Sequence, residues 1–506
     1  MSRLFADLTP LRESADYRRL WVGQALANIG AMLTATAVSL QVYDLSGSSL
    51  AVGALGGFAL APVVVMGLYG GALGDAHDRR KVALAASCVM WLATFGIVLQ
   101  AYLAVNSIWL LYLLVAVQSG ATSVSSPARS AIIPRLVPLR QLPAANALGS
   151  MTFSFATLCG PLAGSVLVAS IGYGPTYLID AATFTGALYA LFRLPPMPPL
   201  ARRPGGEGAA AADAASAAVG DGVPVGDGGP VGDGGLTGDG GLTGDGVPVG
   251  DGVPVGEQGP GRGAGATSRA GGGSGAPSAG AEGAVPERGW RSVAQGLRFL
   301  AVRRNLLMTF LTDMCAMILA FPRAAFPAVA AVIIGGGKTT VGILSACLAT
   351  GTILAMVLSG PVGRVRRQGR GVVGSVALWG IAIAAAGLVL VAAGRTEPDR
   401  VIWWALIGAG LPLGVAGAAD AVSAVFRGTI LQSATPDHLR GRLQGVFIVV
   451  VTGGPRMGDM VTGVASDWLG EAWAITIGGL ACTVAVLALT RWHRPFLEYD
   501  AWRPVP

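Results

Sequence analysis

Apolar residues along this chain come in long blocks rather than in alternation. Twelve predominantly apolar stretches fall at roughly 20–43, 49–72, 82–103, 108–128, 144–171, 174–193, 305–334, 340–362, 372–394, 401–427, 445–468 and 472–492. Each is about as long as a helix that crosses a hydrocarbon core, which takes ~20 residues. Six stretches precede a polar insert and six follow it. This predicts an all-α membrane protein with twelve transmembrane helices: a six-helix bundle over 1–193, a low-complexity linker over 194–301 and a second six-helix bundle over 302–506. The first stretch is too long for a signal-peptide core and no small-residue cleavage pattern follows it, so it is expected to remain as a spanning helix.

Composition agrees with the pattern. The chain is 52% hydrophobic and only 12% charged, against about 25% charged in soluble domains. The net charge of +7 raises the possibility of nucleic-acid binding, but the placement of the charges excludes it. With the N-terminus inside, the short outer loops hold only Lys338, Arg395 and Arg400, and Arg323 and Arg456 fall within helices. All other Lys and Arg residues lie on the inner side, as the positive-inside rule requires of a protein in the cytoplasmic membrane with both termini and the linker cytoplasmic. Cys88, Cys159, Cys315, Cys347 and Cys482 sit in apolar stretches without paired spacing and read as small hydrophobes. No metal site, cofactor or nucleic-acid partner is expected.

The halves keep traces of one another, so the bundles are expected to be pseudo-symmetric. Pro127-Ala-Arg-Ser-Ala-Ile-Ile133 at the end of helix 4 parallels Val425-Phe-Arg-Gly-Thr-Ile-Leu431 at the end of helix 10. Helix 5 carries Gly160-Pro161-Leu-Ala-Gly164, and helix 11 carries Gly454-Pro455-Arg-Met-Gly458. Gly allows close helix approach and Pro bends a helix by removing a backbone bond, so both strings are candidate packing motifs. The linker differs from both halves. It holds hexapeptides of the form D-G-x-x-x-G starting at Asp221, Asp227, Asp233, Asp239, Asp245 and Asp251, with almost no large apolar side chain to bury. Repeat expansion in a tolerated linker explains them better than calcium binding, whose known repeat is a nonapeptide. Gly335-Gly-Gly-Lys-Thr-Thr340 imitates a phosphate loop, but Val332 stands where that motif needs Gly, and no ATPase or other enzyme is read here.

One dense charge cluster stands in the first 120 residues: Gly71-Ala-Leu-Gly74-Asp75-Ala-His-Asp-Arg79-Arg80-Lys81, between predicted helices 2 and 3. It resembles the signature loop of the major facilitator superfamily, G-x-L-[AG]-D-x-x-G-R-[RK], with Asp78 where the family has Gly. The resemblance implies a latch that holds one state of a rocking cycle. On physical grounds, Asp75 can attract the positive end of a helix, and Arg79 and Arg80 can meet acidic or lipid head groups. The plainer reading is inner-face charge that sets topology.

Charges inside membrane helices cost about 2.5–3.5 kcal/mol even on the gentler scales and mark functional sites by default. The resemblance implies a central cavity lined by helices 1, 4, 7 and 10. Asp313 on helix 7 is then a candidate proton or amine site, or half of a structural pair with a neighbouring Arg. Asp420 and Arg427 lie seven apart on one face of helix 10; Arg427, near the inner interface, is expected to snorkel, and Asp420 is the deeper candidate. Arg456 and Asp459, three apart on helix 11, are expected to compensate each other, or to contribute to substrate binding or to a contact between helices 2 and 11. Asp180 on helix 6 has no evident Arg partner and reads equally as a hydrogen-bonded structural Asp or a proton site. Gln24 and Asn28 on helix 1, with Gln118, Thr122 and Ser125 on helix 4, are candidate polar cavity residues, each open to bonding its own backbone instead.

Further strings resemble the enterobactin-exporter-like branch of drug and siderophore exporters: Val42-Tyr-Asp-Leu-Ser-Gly-Ser-Ser-Leu50, Leu178-Ile-Asp-Ala-Ala-Thr-Phe184, Phe321-Pro-Arg-Ala-Ala-Phe-Pro327, Ala419-Asp-Ala-Val-Ser-Ala-Val-Phe-Arg427 and Gly441-Arg-Leu-Gln-Gly445. The branch implies a monomeric, proton-driven exporter of amphipathic small molecules working by alternating access in the lipid bilayer. An importer or facilitator of a small nutrient is the alternative, and a sensor or scaffold without transport a third reading.

Overall fold

The computed structural model describes residues 8–76, 78–130, 132–195, 298, 300, 302–358, 365–434 and 437–500. These residues fall in one compact unit, and among them there is no strand. Six long helices make the first half: α1 (Ala15–Ser46), α2 (Ser49–Ala76), α3 (Arg79–Tyr102), α4 (Ile108–Ser130), α5 (Leu142–Ile171) and α6 (Tyr173–Phe192). Six more make the second: α7 (Arg304–Ile334, in pieces), α8 (Gly337–Val357), α9 (Gln368–Ala393), α10 (Trp403–Ser433), α11 (Asp437–Leu469) and α12 (Glu471–Trp492). Among the described residues, ten helices are long and apolar enough to cross a membrane. The other two, α6 and α11, are diluted by polar side chains, Thr176, Asp180 and Thr183 in the first and Arg456, Asp459 and Asp467 in the second. At ~1.5 Å per residue both are still long enough to span. The hexapeptide repeats and the amphipathic spacing expected near Arg288 lie outside the described residues.

Large apolar side chains cover the outside of the helices, as lipid requires: Leu92, Leu113, Leu411 and Val484 are each more than half exposed. Trp109, Trp403, Trp404, Trp468 and Trp473 gather at one end of the helices, where a ring with one polar atom fits the membrane–water interface. That end also carries the Gly335-Gly-Gly337 string. All three glycines have positive φ (80°, 76° and 59°), a conformation that side chains resist, and the turn delivers Lys338 at the start of α8. The string that imitated a phosphate loop is therefore a helix-to-helix corner.

The packing motifs act in parallel in the two halves. A Cβ built on Gly164 would lie 2.8 Å from the Leu33 carbonyl oxygen, so α5 presses directly on the backbone of α1. A Cβ on Gly458 would collide with the Met317 carbonyl and stand 2.8 Å from the Phe321 Cβ, so α11 presses on α7 in the same manner. The halves meet along α2 with α11 and α5 with α8. At the first of these seams the Cβ position of Gly53 is 3.0 Å from the Gly463 Cα, backbone against backbone.

Among the described residues, α7 is the one long helix that is broken. It runs as α-helix over Arg304–Met314, widens to a π turn over Cys315–Leu319, breaks before Pro322 and resumes through a 3-10 turn at Arg323–Ala325 and a short helix at Phe326–Val329. Pro322 has no N–H to give and its ring clashes with the preceding turn, so the helix cannot pass through it. Irregular backbone at membrane depth survives only where protein satisfies it. Here α11 does so: Thr462 Oγ1 donates to the Phe321 carbonyl at 2.8 Å, and the Ala324 N–H reaches Asp459.

Candidate functional site

A cavity of about 140 Å³ lies between the two halves, lined from both. α1 and α2 supply Met32, Thr36, Val52 and Leu55, α5 supplies Pro161, and the broken part of α7 supplies Arg323 and Phe326. Ser345 of α8 and Asp459 of α11 complete it. The break in α7 places Arg323 here, because the chain must turn at Pro322 and restart facing the seam. Its guanidinium lies over the Phe321 ring, 5.4 Å from the centroid, and its Nε is buried without a hydrogen-bond partner. Asp459 is the opposite charge that acts on it, and one Asp459 oxygen, Oδ1, is likewise buried without a partner.

Arg456 and Asp459, three apart on α11, act on one another, but neither does so exclusively. Arg456 Nη1 also crosses to the other half and donates to Ser119 Oγ of α4 at 3.3 Å, and Asp459 faces Arg323 as well. Sequence reasoning weighed Arg323 only as an in-helix charge. The signal that could have placed it was its position between Pro322 and Pro327, where a helix must break.

A second charged group lies inside the C-terminal half. Arg427 of α10 contacts Asp313 of α7 directly, both almost fully buried, and its Nη2 donates to Asp420 Oδ1 at 3.4 Å. Arg427 therefore does not snorkel. At 5% exposure it is held in the interior because two carboxylates compensate it. Neither Asp313 nor Asp420 lines the cavity between the halves, contrary to the expectation that the buried carboxylates share one central opening. Nor do α4 and α10 line that cavity, contrary to the expected set of helices 1, 4, 7 and 10.

In the N-terminal half the corresponding groups have neutral partners. Arg129 Nη2 donates to Ser87 Oγ at 2.7 Å, and Ser87 in turn meets Ser125 at 3.3 Å. Asp180 is buried and accepts from Thr34 Oγ1 at 2.6 Å, with Gly30 of α1 making room for it. Gln24 and Asn28 are half-buried on α1 and do not line the cavity. Gln118 donates to Thr94, and Thr122 to the Gln118 carbonyl.

Of the charged loop after α2, the side chains of Gly71, Gly74, Asp75 and Arg79 lie outside the described residues. Two neighbours are placed. Asp78, the departure from the signature, caps α3 by accepting from the Arg80 N–H at 2.9 Å. Arg80, expected to meet acidic or lipid head groups, donates to the Phe192 carbonyl at the C-terminal end of α6, where free carbonyls attract a cation. At the opposite end of the helices Lys338 of α8 pairs with Asp44 of α1 at 2.7 Å, and Tyr173 donates to the same carboxylate. Ser49 of α2 reaches Glu471 of α12 at 3.4 Å. Both contacts join the halves.

This arrangement of two packed six-helix halves around a charged seam matches known proteins. A family model described as a transmembrane secretion effector matches residues 5–211. The chain has the fold of the major facilitator superfamily and resembles its enterobactin-exporter-like branch. It is similar to the enterobactin exporter EntS of Citrobacter koseri, 28% identical over 193 residues, which are 38% of this chain and 46% of that protein. It is 24% identical over 178 residues to macrolide efflux protein A of Streptococcus pyogenes, 35% of this chain and 44% of that one. The MFS-type transporter YfiS of Bacillus subtilis is 28% identical over 187 residues, 36% and 43% of the two chains. The matches thus span less than half the length of these curated relatives, which are transporters and exporters rather than enzymes. Among solved structures, the nucleoside transporter NupG superposes with a TM-score of 0.60 at 12% identity over 96% of this chain and 100% of that one. A D-xylose–proton symporter does so with a TM-score of 0.56 at 14% identity over 97% of both chains. At such identities the likeness speaks for the fold: a multi-pass membrane protein of two helical halves.

Proposed function

We propose that this protein is a secondary active exporter of amphipathic small molecules, driven by proton entry and working by alternating access. It resides in the cytoplasmic membrane with both termini and the 194–301 linker on the cytoplasmic side, and it acts as a monomer. The observation that carries the proton-coupled reading is the group Asp313–Arg427–Asp420, in which Asp313 and Arg427 are buried and Asp420 is half-buried. Two carboxylates share one guanidinium across α7 and α10, so the group carries one net negative charge when all three are ionised. One proton taken up by either carboxylate makes it neutral, at a depth where uncompensated charge is costly. Gain or loss of that proton changes what Arg427 holds, and α7, already broken at Pro322, is the element best able to respond. Export is favoured over import by the similarity to EntS and macrolide efflux protein A, which are named exporters.

The cavity between the halves is the substrate site in this reading, with Arg323 and Asp459 as its polar groups. In the state described, Lys338–Asp44 and Ser49–Glu471 join the halves at the outer end, and these contacts must part for release. Arg80, Asp78 and the Asp75 loop belong to the inner end and to gating. The test is flux in proteoliposomes against an imposed pH gradient, intact chain against Asp313→Asn. Substrate movement should follow the gradient in the intact chain and lose that dependence in the variant. Flux that ignores the gradient would remove proton coupling, and accumulation toward the binding side would assign import instead.

A further inference from the structure

The charges around the cavity between the halves do not balance, and that imbalance says what it is built to hold. Arg323 and Asp459 line it, and Arg456 stands one helical turn from Asp459 on α11 with only the neutral Ser119 as hydrogen-bond partner. Two guanidinium groups therefore face one carboxylate. Asp459 accepts from the Ala324 N–H at the break in α7, with its Oδ1 still buried without a partner, and Arg323 Nε is buried with nothing to donate to. The rest of the wall is largely apolar, and two of its hydroxyls are turned to their own helix, Thr36 donating to the Met32 carbonyl and Ser39 to the Ala35 carbonyl, which leaves Ser345 as a further polar group. Met32, Val52, Leu55, Phe326 and Val341 offer an apolar surface beside the guanidinium.

From this geometry we infer that the cavity takes an amphipathic molecule with an anionic head, a carboxylate or an acidic phenolate. Arg323 holds the head and the apolar residues of α1, α2 and α7 hold the body. An anion supplies the charge that Asp459 alone does not, and a planar guanidinium offers two parallel donors to a two-oxygen head. A cationic molecule would add a third positive charge to a poorly solvated seam that already has an excess of one. The inference rests on the transporter reading, since it names the substrate class of the same cavity.

The test is binding of three matched probes to the purified full chain in detergent micelles with no gradient present: 2-naphthoate, naphthalene-2-carboxamide and 2-naphthylmethylamine. They share a body and differ in head charge. The naphthoate should bind at least about tenfold more tightly than the amine, with the amide between them, as loss of one charge-assisted contact implies. Arg323→Gln should bring naphthoate down to the level of the amide, Arg323→Lys should retain part of the preference, and Asp459→Asn should strengthen it. Equal binding of all three probes, tighter binding of the amine, no binding of any, or a preference that survives Arg323→Gln would each overturn the inference. If Arg323→Gln does not fold, the order of the three probes on the intact chain and on Asp459→Asn decides alone. Because no proton gradient enters this measurement, an anion preference without gradient-driven flux would fail the transport reading only. Gradient-driven flux without an anion preference would fail this inference only.

Discussion

The two halves of this molecule share a plan and differ in chemistry. In the N-terminal half the buried ionisable groups lean on neutral partners: Asp180 on Thr34, Arg129 on Ser87. In the C-terminal half the equivalent arginine, Arg427, is locked between Asp313 and Asp420, and α7 is broken where α1 is continuous. A duplicated scaffold thus carries one half as a relatively inert frame and concentrates charge and backbone irregularity in the other. A hydrogen bond to a hydroxyl fixes a side chain in place. An ion pair shared by two carboxylates has more than one arrangement of similar charge, which is what a coupling device needs.

The largest effect should come from Arg427→Ala, which leaves Asp313 buried without its countercharge. A loss of about 3–5 kcal/mol is expected, read as a fall in the thermal midpoint of the detergent-solubilised protein. The matched change Arg129→Ala removes a partner from hydroxyls only, and a loss of about 1–3 kcal/mol is expected. Equal losses at the two sites would erase the contrast between the halves.

Next in size are Gly164→Leu and Gly458→Leu, each of which pushes a side chain into the backbone of a neighbouring helix. Both should cost about 1–3 kcal/mol or more by overpacking, and both should reduce folded yield in membranes. A large loss at one and none at the other would show that the parallel packing of α5 on α1 and α11 on α7 is only apparent. Thr462→Val tests the break in α7 more gently: it removes the donor to the Phe321 carbonyl while keeping the side-chain shape. About 1 kcal/mol is expected, and flux should fall by more than the folded yield does. The smallest effect belongs to Asp180→Asn, which keeps an acceptor for Thr34. Stability should change by less than about 1 kcal/mol, and flux should keep its dependence on the pH gradient, unlike Asp313→Asn. Loss of that dependence at Asp180 would move proton coupling into the N-terminal half.

Much of the architecture was legible without coordinates. Lipid cannot satisfy a bare peptide group, so a long apolar block has little choice but to be a helix, and repeated strings such as Gly160-Pro-x-x-Gly164 and Gly454-Pro-x-x-Gly458 mark equivalent positions. The in-helix charges were legible as a set, because each is costly wherever it lies. Their partners were not. Helical spacing placed Arg456 beside Asp459, and the two do act on one another, but it carried no sign that the first also reaches Ser119 and the second Arg323 and the Ala324 N–H. Arg427 was expected to reach for the interface and is instead held inside by Asp313, which lies 114 positions earlier in the chain.

The order and length of the helices and the two-part plan follow from the sequence, because hydrophobic length and local propensity act within one segment. Which carboxylate meets which guanidinium, which side chains face the seam between the halves, and how the broken backbone of α7 is satisfied are decided only in three dimensions. Those contacts join helices far apart in the chain, and on any one helix several rotations bury the same apolar area. Long-range packing of glycine against backbone selects among those rotations, and a period of 3.6 residues carries no record of the choice.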